Sequence, residues 1–342
     1  MTQYIGWRRF ENSLKTEARF FSRTAANQLT SIFDGIGKLL TCDGRPLVVD
    51  AGPGTSFHTL YRARPFQSDD KLQAALSRPD IFLGSPPAHL ANAGRINARG
   101  ISVFCGTNSK KAAIAEFRPP VGSQVVVAQF DIIRKLRLLD LTALNDLRDT
   151  GSITDFGLAG RREDAVFLRS LSERIAQPAL FDDEPSEYLT TQAIVDFLAT
   201  ESSVPIDGII FPSVQAIGDV FDVVLFHKAA RVEPINVPEG TEISSTTGRW
   251  TEEGWVDDYE VVEKIPPQLE EDDKGEQPRR SSHLTVIADA APLDPRDADW
   301  RHITLRVASG CVEVHRVKHV EFATDRFMVK RRRREEGVTI DF

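Results

Sequence analysis

Two arginines and one carboxylate stand close together in the stretch from Gly94 to Glu116, which reads Gly-Arg-Ile-Asn-Ala-Arg-Gly-Ile-Ser-Val-Phe-Cys-Gly-Thr-Asn-Ser-Lys-Lys-Ala-Ala-Ile-Ala-Glu. Arg95 and Arg99 occupy a glycine-bounded turn. A guanidinium is a planar fork that pairs bidentately with phosphate oxygens, so this turn has the chemistry to hold an anionic ligand. Ile101–Cys105 predicts a short apolar strand that breaks at Gly106. Thr107, Asn108 or Ser109 can then cap a helix over Lys110–Phe117. Glu116 is the one carboxylate of that helix, and the alanines around it leave room for a ligand near the backbone. One acid beside two arginines suits chemistry on a phosphorylated sugar. The same residues also suit a plain turn, strand and surface helix with solvated charges.

More candidates lie on either side. Thr59–Arg64 alternates as a strand that puts Arg62 and Arg64 on one face and Tyr61 on the other; an exposed edge strand is the alternative. Asp207-Gly208-Ile209-Ile210-Phe211 predicts a strand that leaves through Pro212-Ser213-Val214, and Phe221–Phe226 a second buried strand. Ser213 lacks the GxSxG surround of a hydrolase nucleophile, so an orienting hydroxyl or a turn residue are its two readings. His227 follows the last core strand and reads as a structural histidine. The 7 histidines make no HExxH or other ligand spacing, so no metal is expected.

The elements that must hold these residues follow from pattern. Residues 11–41 carry Phe20, Phe21, Leu29, Ile32, Phe33, Ile36, Leu39 and Leu40 at helical spacing, an amphipathic extension that braces the body or forms a dimer contact. Asp43–Ser56 is turn-rich; its Gly52-Pro53-Gly54 lacks the Lys-Ser/Thr of a P-loop and reads as a loop. Residues 65–93 predict a long loop with a short helix. Gln124–Ile133 and Leu136–Leu141 predict buried strands, Arg161–Ile175 and Ser186–Thr200 helices. Residues 237–282 are rich in Pro, Gly and acids, with Glu270–Asp273 the densest run, and predict a loosely folded segment pinned by Trp250, Trp255 and Tyr259. Ile303–Val307 and Cys311–Val317 alternate as strands around a Ser309-Gly310 hairpin turn, with Lys318–Phe322 as a further strand. Lys330–Arg334 is a basic run closed by Glu335 and Glu336, expected to be a solvated tail.

Composition narrows the class. The chain has 342 residues, 41% hydrophobic and 27% charged, which suits a soluble protein with a real core. A net charge of −8 argues against general nucleic-acid binding, so an anionic ligand needs a local arginine cluster. Cys42, Cys105 and Cys311 lack CxxC spacing, which points to reduced thiols and a cytoplasmic setting rather than a disulfide framework or zinc. No apolar run approaches bilayer length, so no membrane segment is expected.

Several of these pieces, in order, resemble the RES-domain family, named for an Arg, a Glu and a Ser: Tyr61-Arg62-Ala63-Arg64; Gly94-Arg95-Ile96-Asn97 through Ala115-Glu116; and Asp207–Ser213 with Val223–Phe226. Leu138–Thr142 and Tyr188–Gln192 look like its intervening segments, and His315–Val320 like its closing strand. The resemblance covers about residues 57–231 plus the C-terminal hairpin. It implies an α+β fold similar to the ADP-ribosyltransferases, a split mixed sheet with flanking helices and a cleft for NAD. Around that core, residues 1–56 would be a helical extension, 57–232 the catalytic core, 233–300 an acidic insert or linker, and 301–342 a completing hairpin with a basic tail.

The resemblance also implies function. Family members consume NAD by hydrolysis or phosphorolysis, or transfer ADP-ribose to protein, and many are toxins silenced by an Xre-like antitoxin. Carried over, Glu116, Arg62 and Ser213 are the catalytic residues, and Tyr61, Arg62, Arg95, Asn97, Phe104 and Ser213 bind the dinucleotide. NAD is the expected substrate and partner; an antitoxin and a homodimer are further partners this implies. Phe104 stands where the family often has tyrosine, and Ile96 where it often has an aromatic. Three functions stay open: an NAD glycohydrolase or phosphorylase acting as toxin or effector, a protein mono-ADP-ribosyltransferase, and a non-catalytic binding module.

Overall fold

The computed structural model describes residues 5–18, 21–146, 157–177, 188–216, 218–267, 299–321 and 323–331. Its centre is a nine-stranded mixed sheet of order β1-β5-β6-β7-β3-β2-β4-β11-β8. The strands are β1 (Val48–Ala51), β2 (Thr59–Phe66), β3 (Phe104–Thr107), β4 (Gln124–Ile132), β5 (Leu136–Asp140), β6 (Gly208–Pro212), β7 (Phe221–Leu225), β8 (Arg231–Val232) and β11 (Ile303–Arg316). β9 (Glu242–Thr251) and β10 (Gly254–Lys264) form a separate two-stranded ribbon. The helices are α1 (Ile5–Asn12), α2 (Arg23–Phe33), α3 (Asp69–Ser77), α4 (Pro79–Phe82), α5 (Lys110–Glu116), α6 (Gly157–Ala176) and α7 (Leu189–Thr200). The α+β class and the mixed sheet with flanking helices agree with expectation.

The sheet is split. β2 pairs with β4 over eight residues, Thr59 to Phe66, but meets β3 only through Tyr61 opposite Thr107. The two halves therefore hinge on one contact and diverge beside it. Gly106 makes the contact possible: a Cβ there would lie 3.0 Å from the Phe104 ring and 3.1 Å from Leu60 Cβ. One sheet face carries Leu60, Phe104, Ala128, Leu138 and Leu225 against α3. The other is divided. α1, α2, α6 and α7 cover the β1-β5-β6-β7 half, while α5 covers the β2-β4 half through Ala113 on Ala63, Val125 and Val127. Cys105 of β3 is exposed.

Several expectations are corrected. Val48–Ala51, read as loop, is the edge strand β1 paired with β5; its alternation is too short to stand out beside the Gly-Pro-Gly turn that follows. Residues 11–41 are interrupted rather than continuous: Phe21, placed in the apolar stripe, is fully exposed at φ 60° between α1 and α2, and Phe20 lies outside the described residues. Leu29, Ile32, Phe33 and Ile36 are buried and brace the body, Leu39 packs against the same cluster, and Leu40 is exposed. The stretch 65–93 holds two helices, α3 and α4.

At the C-terminal end Ser309-Gly310 is no hairpin turn. β11 is one strand that keeps β4 as its partner on both sides of a bulge between Val307 and Val312, with Gly310 at φ 69°. Lys318–Glu321 forms no strand. Part of the expected loose segment is regular: β9 and β10 pair from Glu242 to Lys264. Ser245 Oγ donates to Gln73 O (2.9 Å) and Gln124 Nε2 to Tyr259 Oη (3.2 Å), while Trp250 and Trp255 pack on each other at 5.7 Å and stay exposed. Glu270–Asp273 and Arg332–Arg334 lie outside the described residues. Among those described, no helix is long and apolar enough to cross a membrane.

Candidate active site

Arg62 fills the divergence between β2 and β3. Where the backbone ladder between these strands ends, its Nη1 donates to the carbonyl of Cys105 at 3.2 Å. Its guanidinium lies over the Phe104 ring, 4.9 Å from the centroid. No carboxylate pairs with it among the described residues. Burial pulls its pKa down to about 10, and the Arg64 charge acts in the same direction. Arg62 is half-exposed, and a guanidinium that keeps its charge without an acid is a ready anion site. Arg64, on the same face, is also lowered by burial.

Phe104 is fully buried, edge-on to Phe130 at 4.9 Å. The sequence places it among the dinucleotide-binding residues; in the structure its ring lies under the Arg62 guanidinium. Tyr61 faces the opposite side, its ring 5.6 Å from Lys110 Nζ, beside Ala113 and Ile114 of α5.

Glu116 is the last residue of α5, which ends at Phe117 with Arg118 at φ 43°. Pro119 follows and disfavours a helical Arg118, so the chain leaves the helix sharply just after the exposed Glu116. The Glu116 carboxyl is pushed up to about 7, first by burial, then by the charge of Asp222 and a hydrogen bond with it; Arg118 and Arg95 pull the other way. Asp222, on β7, is raised by burial and steadied by Ser213, Glu116 and Thr107. Two acids that raise each other's pKa resist ionising together.

Cys105 joins the two sides. Its thiol is raised by burial, lowered by Arg62, and raised again by Glu116 and Asp222. Cys105 and Glu116 are both solvent-exposed, yet both shift as desolvated groups. Charge links Arg95 to Glu116, and both Arg62 and Glu116 to the Cys105 thiol, but Arg62 lies on the Phe104 face of the sheet while α5, which carries Glu116, packs on the Tyr61 face. Glu116 and Arg62 do not pair directly.

Ser213 follows β6, its N–H donating to Val220 O at 3.0 Å. Its Oγ is buried beside Asp222, close enough to bear on that carboxyl, but neither Ser213 Oγ nor Asp222 Oδ1 has a partner in hydrogen-bond geometry. Thr107, Asn108 or Ser109 is the expected cap of α5. Instead Thr107 Oγ1 donates to Phe221 O (2.9 Å), and Asn108 accepts from Phe221 N (3.2 Å) and donates to Asp219 O (3.0 Å). They fasten the start of β7, the strand that carries Asp222. The N-cap residue Ser109 makes no side-chain cap.

The Arg95 turn is held from α7. Thr191 Oγ1 donates to Arg95 O at 2.5 Å, and Gln192 Nε2 donates to Gly94 O (2.6 Å) and Asn97 O (3.0 Å). Tyr188 supports the Arg95 guanidinium, 5.9 Å from its centroid. Asn97 donates to Asn92 O, Ala98 O and Ile101 O, so its amide shapes the loop. Arg99 is exposed. His227 Nδ1 lies 3.1 Å from Ser102 O, in a structural position. Sequence reasoning did not single out Asp222; its one signal is an acid inside the otherwise apolar Phe-Asp-Val-Val-Leu of β7. No cluster of three potential metal ligands occurs among the described residues.

Comparison with curated proteins and with solved structures returned no match. A family model described as the RES domain matches residues 59–245, from the first residue of β2 into β9, and so past the expected limit at 231. That match spans more than half of the chain: the protein belongs to the RES-domain family.

Proposed function

We propose that this protein degrades NAD by cleaving the bond between nicotinamide and ribose, as a glycohydrolase or a phosphorylase. The observation that carries the reading is the meeting of opposite charge preferences around Cys105: the acid-free guanidinium of Arg62 on one side, and the Glu116–Asp222 carboxyls on the other. A dinucleotide with an anionic pyrophosphate and a cationic nicotinamide ring has the matching charge layout.

In this reading Arg62 and Arg95 grip the pyrophosphate and fix the labile bond in register. The C1′–N1 bond breaks with its electron pair leaving on nicotinamide, which departs neutral and needs no proton. Positive charge grows on the ribose, as in glycoside hydrolysis, and an ionised Glu116 facing the sugar stabilises it. Water or phosphate then bonds to C1′; a water proton passes to the acid pair or to solvent. Ser213 orients nicotinamide or ribose, Tyr61 and Asn97 shape the walls, and Phe104 seats Arg62.

Membership of the RES family supports a toxin or effector role with an Xre-like antitoxin as partner. The test is incubation of the purified protein with NAD, with free nicotinamide and the ribosyl product followed by mass. Nicotinamide release is expected, and a phosphorylated product would mark a phosphorylase. No release with and without phosphate overturns the reading, and a labelled protein band from a lysate given labelled NAD assigns ADP-ribosyl transfer instead.

A further inference from the structure

The β9–β10 ribbon has two sides. Ser245 Oγ donates to Gln73 O (2.9 Å) and Thr247 Oγ1 to Asp69 Oδ2 (3.1 Å), so one side of β9 faces α3. Alternation turns Ser244, Thr246, Gly248 and Trp250 the other way. In the register Trp255 stands opposite Trp250, Glu260 opposite Thr246 and Val262 opposite Ser244, which puts them on the same outward side. Gly248 lets the Trp255 ring lie across the strand, since a Cβ there would come within 2.5 Å of it. The two indoles meet edge-on at 5.7 Å, yet Trp250 is 78% and Trp255 50% exposed. Large aromatic rings held in place but left uncovered are what a contact surface offers.

The charge there is one-sided. From Glu242 to Lys264 the sequence holds seven carboxylates and two cations. Asp258 pairs with Arg249 (3.4 Å) and Asp257 with Arg316 (3.0 Å), while Glu252, Glu253 and Glu260 have no ion pair among the described residues. The complementary segment is at the C-terminal end. Arg326–Arg334 holds six cations and no acid, around Phe327-Met328-Val329. Those three side chains lie exposed. The segment starts beside the ribbon, because Arg316, the last residue of β11, is the partner of Asp257. Within one chain, however, it covers neither its own apolar side chains nor the indoles. Read alone, the basic run is a solvated tail; the acidic ribbon gives it a surface to meet.

We propose that the C-terminal segment of one copy docks on the outward side of the β9–β10 ribbon of a second copy, and the second copy's segment on the first, forming a twofold-symmetric dimer. Phe327, Met328 and Val329 cover the indoles. Lys330–Arg334 pair with Glu252, Glu253 and Glu260 and set guanidinium groups against the tryptophan faces. Phe327 lies eleven residues beyond Arg316, a reach of roughly 36 Å when extended, enough to cross to a ribbon set beside this one. Each copy gives one segment and receives one, so the assembly closes at two, and the paired contacts reinforce each other.

The test is sedimentation equilibrium of the full chain at micromolar concentration. A dimer is expected, weakening roughly tenfold between low salt and about 0.5 M NaCl. Arg331→Glu with Arg333→Glu, and separately Glu252→Lys with Glu253→Lys, should each weaken self-association roughly tenfold or more, with far-UV circular dichroism unchanged. Mixed in equal amounts, these two variants should form a heterodimer, because every segment then meets a ribbon of opposite charge. Trp250→Ser and Phe327→Ser should also weaken the dimer, and Phe327→Ser serves if the ribbon variants do not fold. A monomeric wild type, a dimer indifferent to all these changes, or charge-reversed variants that stay apart when mixed overturns the proposal. So does a tryptophan fluorescence change on Phe327→Ser in a chain that is monomeric at every concentration, which assigns the segment to its own ribbon. Nucleic-acid binding by a monomer, lost with Arg331→Glu and Arg333→Glu, overturns it as well.

Discussion

Asp222, near the start of β7, stands directly opposite Thr107 of β3 in the ladder between these strands, and its charge helps to push up the Glu116 carboxyl at the end of α5. The two acids are far apart in sequence. They act on each other because β3 joins β7 on one side and, through one residue pair, β2 on the other.

The first prediction concerns rate. Glu116→Ala should lower NAD turnover by about a hundredfold or more, the usual cost of losing one preorganised charge, while far-UV circular dichroism stays that of the wild type. In the wild type, activity under substrate-limiting conditions should rise with pH through about 7 as Glu116 ionises. A flat profile from pH 5 to 9 would remove Glu116 from the ionising role.

Stability gives the opposite sign. The Glu116 carboxyl titrates at about 7 in the folded chain against 4.5 for an unperturbed one. Between those values the folded state holds more protons than the unfolded state, so this group makes stability fall as pH rises from 4.5 to about 7. Glu116→Gln, which cannot ionise, should melt higher than wild type at pH 8, with the difference fading towards pH 4.5. Thermal melts across that range check it.

Arg62→Lys tests the anion site. Lysine keeps the charge but not the fork that holds both the Cys105 carbonyl and a phosphate. KM for NAD should rise roughly tenfold, which corresponds to about 1.4 kcal/mol of lost binding. Steady-state kinetics would show it, and an unchanged KM would place the pyrophosphate elsewhere.

Gly106→Ala addresses the join between the half-sheets. The new methyl would press on Phe104 and Leu60, so destabilisation of about 1–3 kcal/mol is expected from overpacking, measured by urea unfolding. Because Phe104 seats Arg62, NAD binding should weaken in parallel.

Gln192→Ala removes two hydrogen bonds from the Arg95 turn without touching the cleft. A loss of about 1–2 kcal/mol in stability and a higher KM with kcat little changed is the expected pattern. An equal fall in kcat would mean that α7 supports the reacting groups themselves.

The residues themselves announced much of this protein. The Val-rich run of β4, the Ile-Ile-Phe of β6 and the apolar spacing of α6 and α7 are local patterns, and backbone periodicity alone turns them into strands and helices. The ordered arginine, glutamate and serine motifs likewise pointed to the family. What needed the tertiary structure was every relation set by distance along the chain. Ser309-Gly310 has turn chemistry, yet β4 is long enough to pair on both sides of it, so the chain bulges instead of reversing. Thr107 and Asn108 have capping chemistry, but β7 lies alongside and takes their hydrogen bonds. Arg62 reads as an exposed edge arginine until the divergence of β2 from β3 seats its guanidinium between the Cys105 carbonyl and the Phe104 ring. Asp222 looks like an acid misplaced in a core strand until folding sets it against Glu116. A side chain's type is written in the sequence, but its partner, and so its charge state, is chosen by long-range pairing.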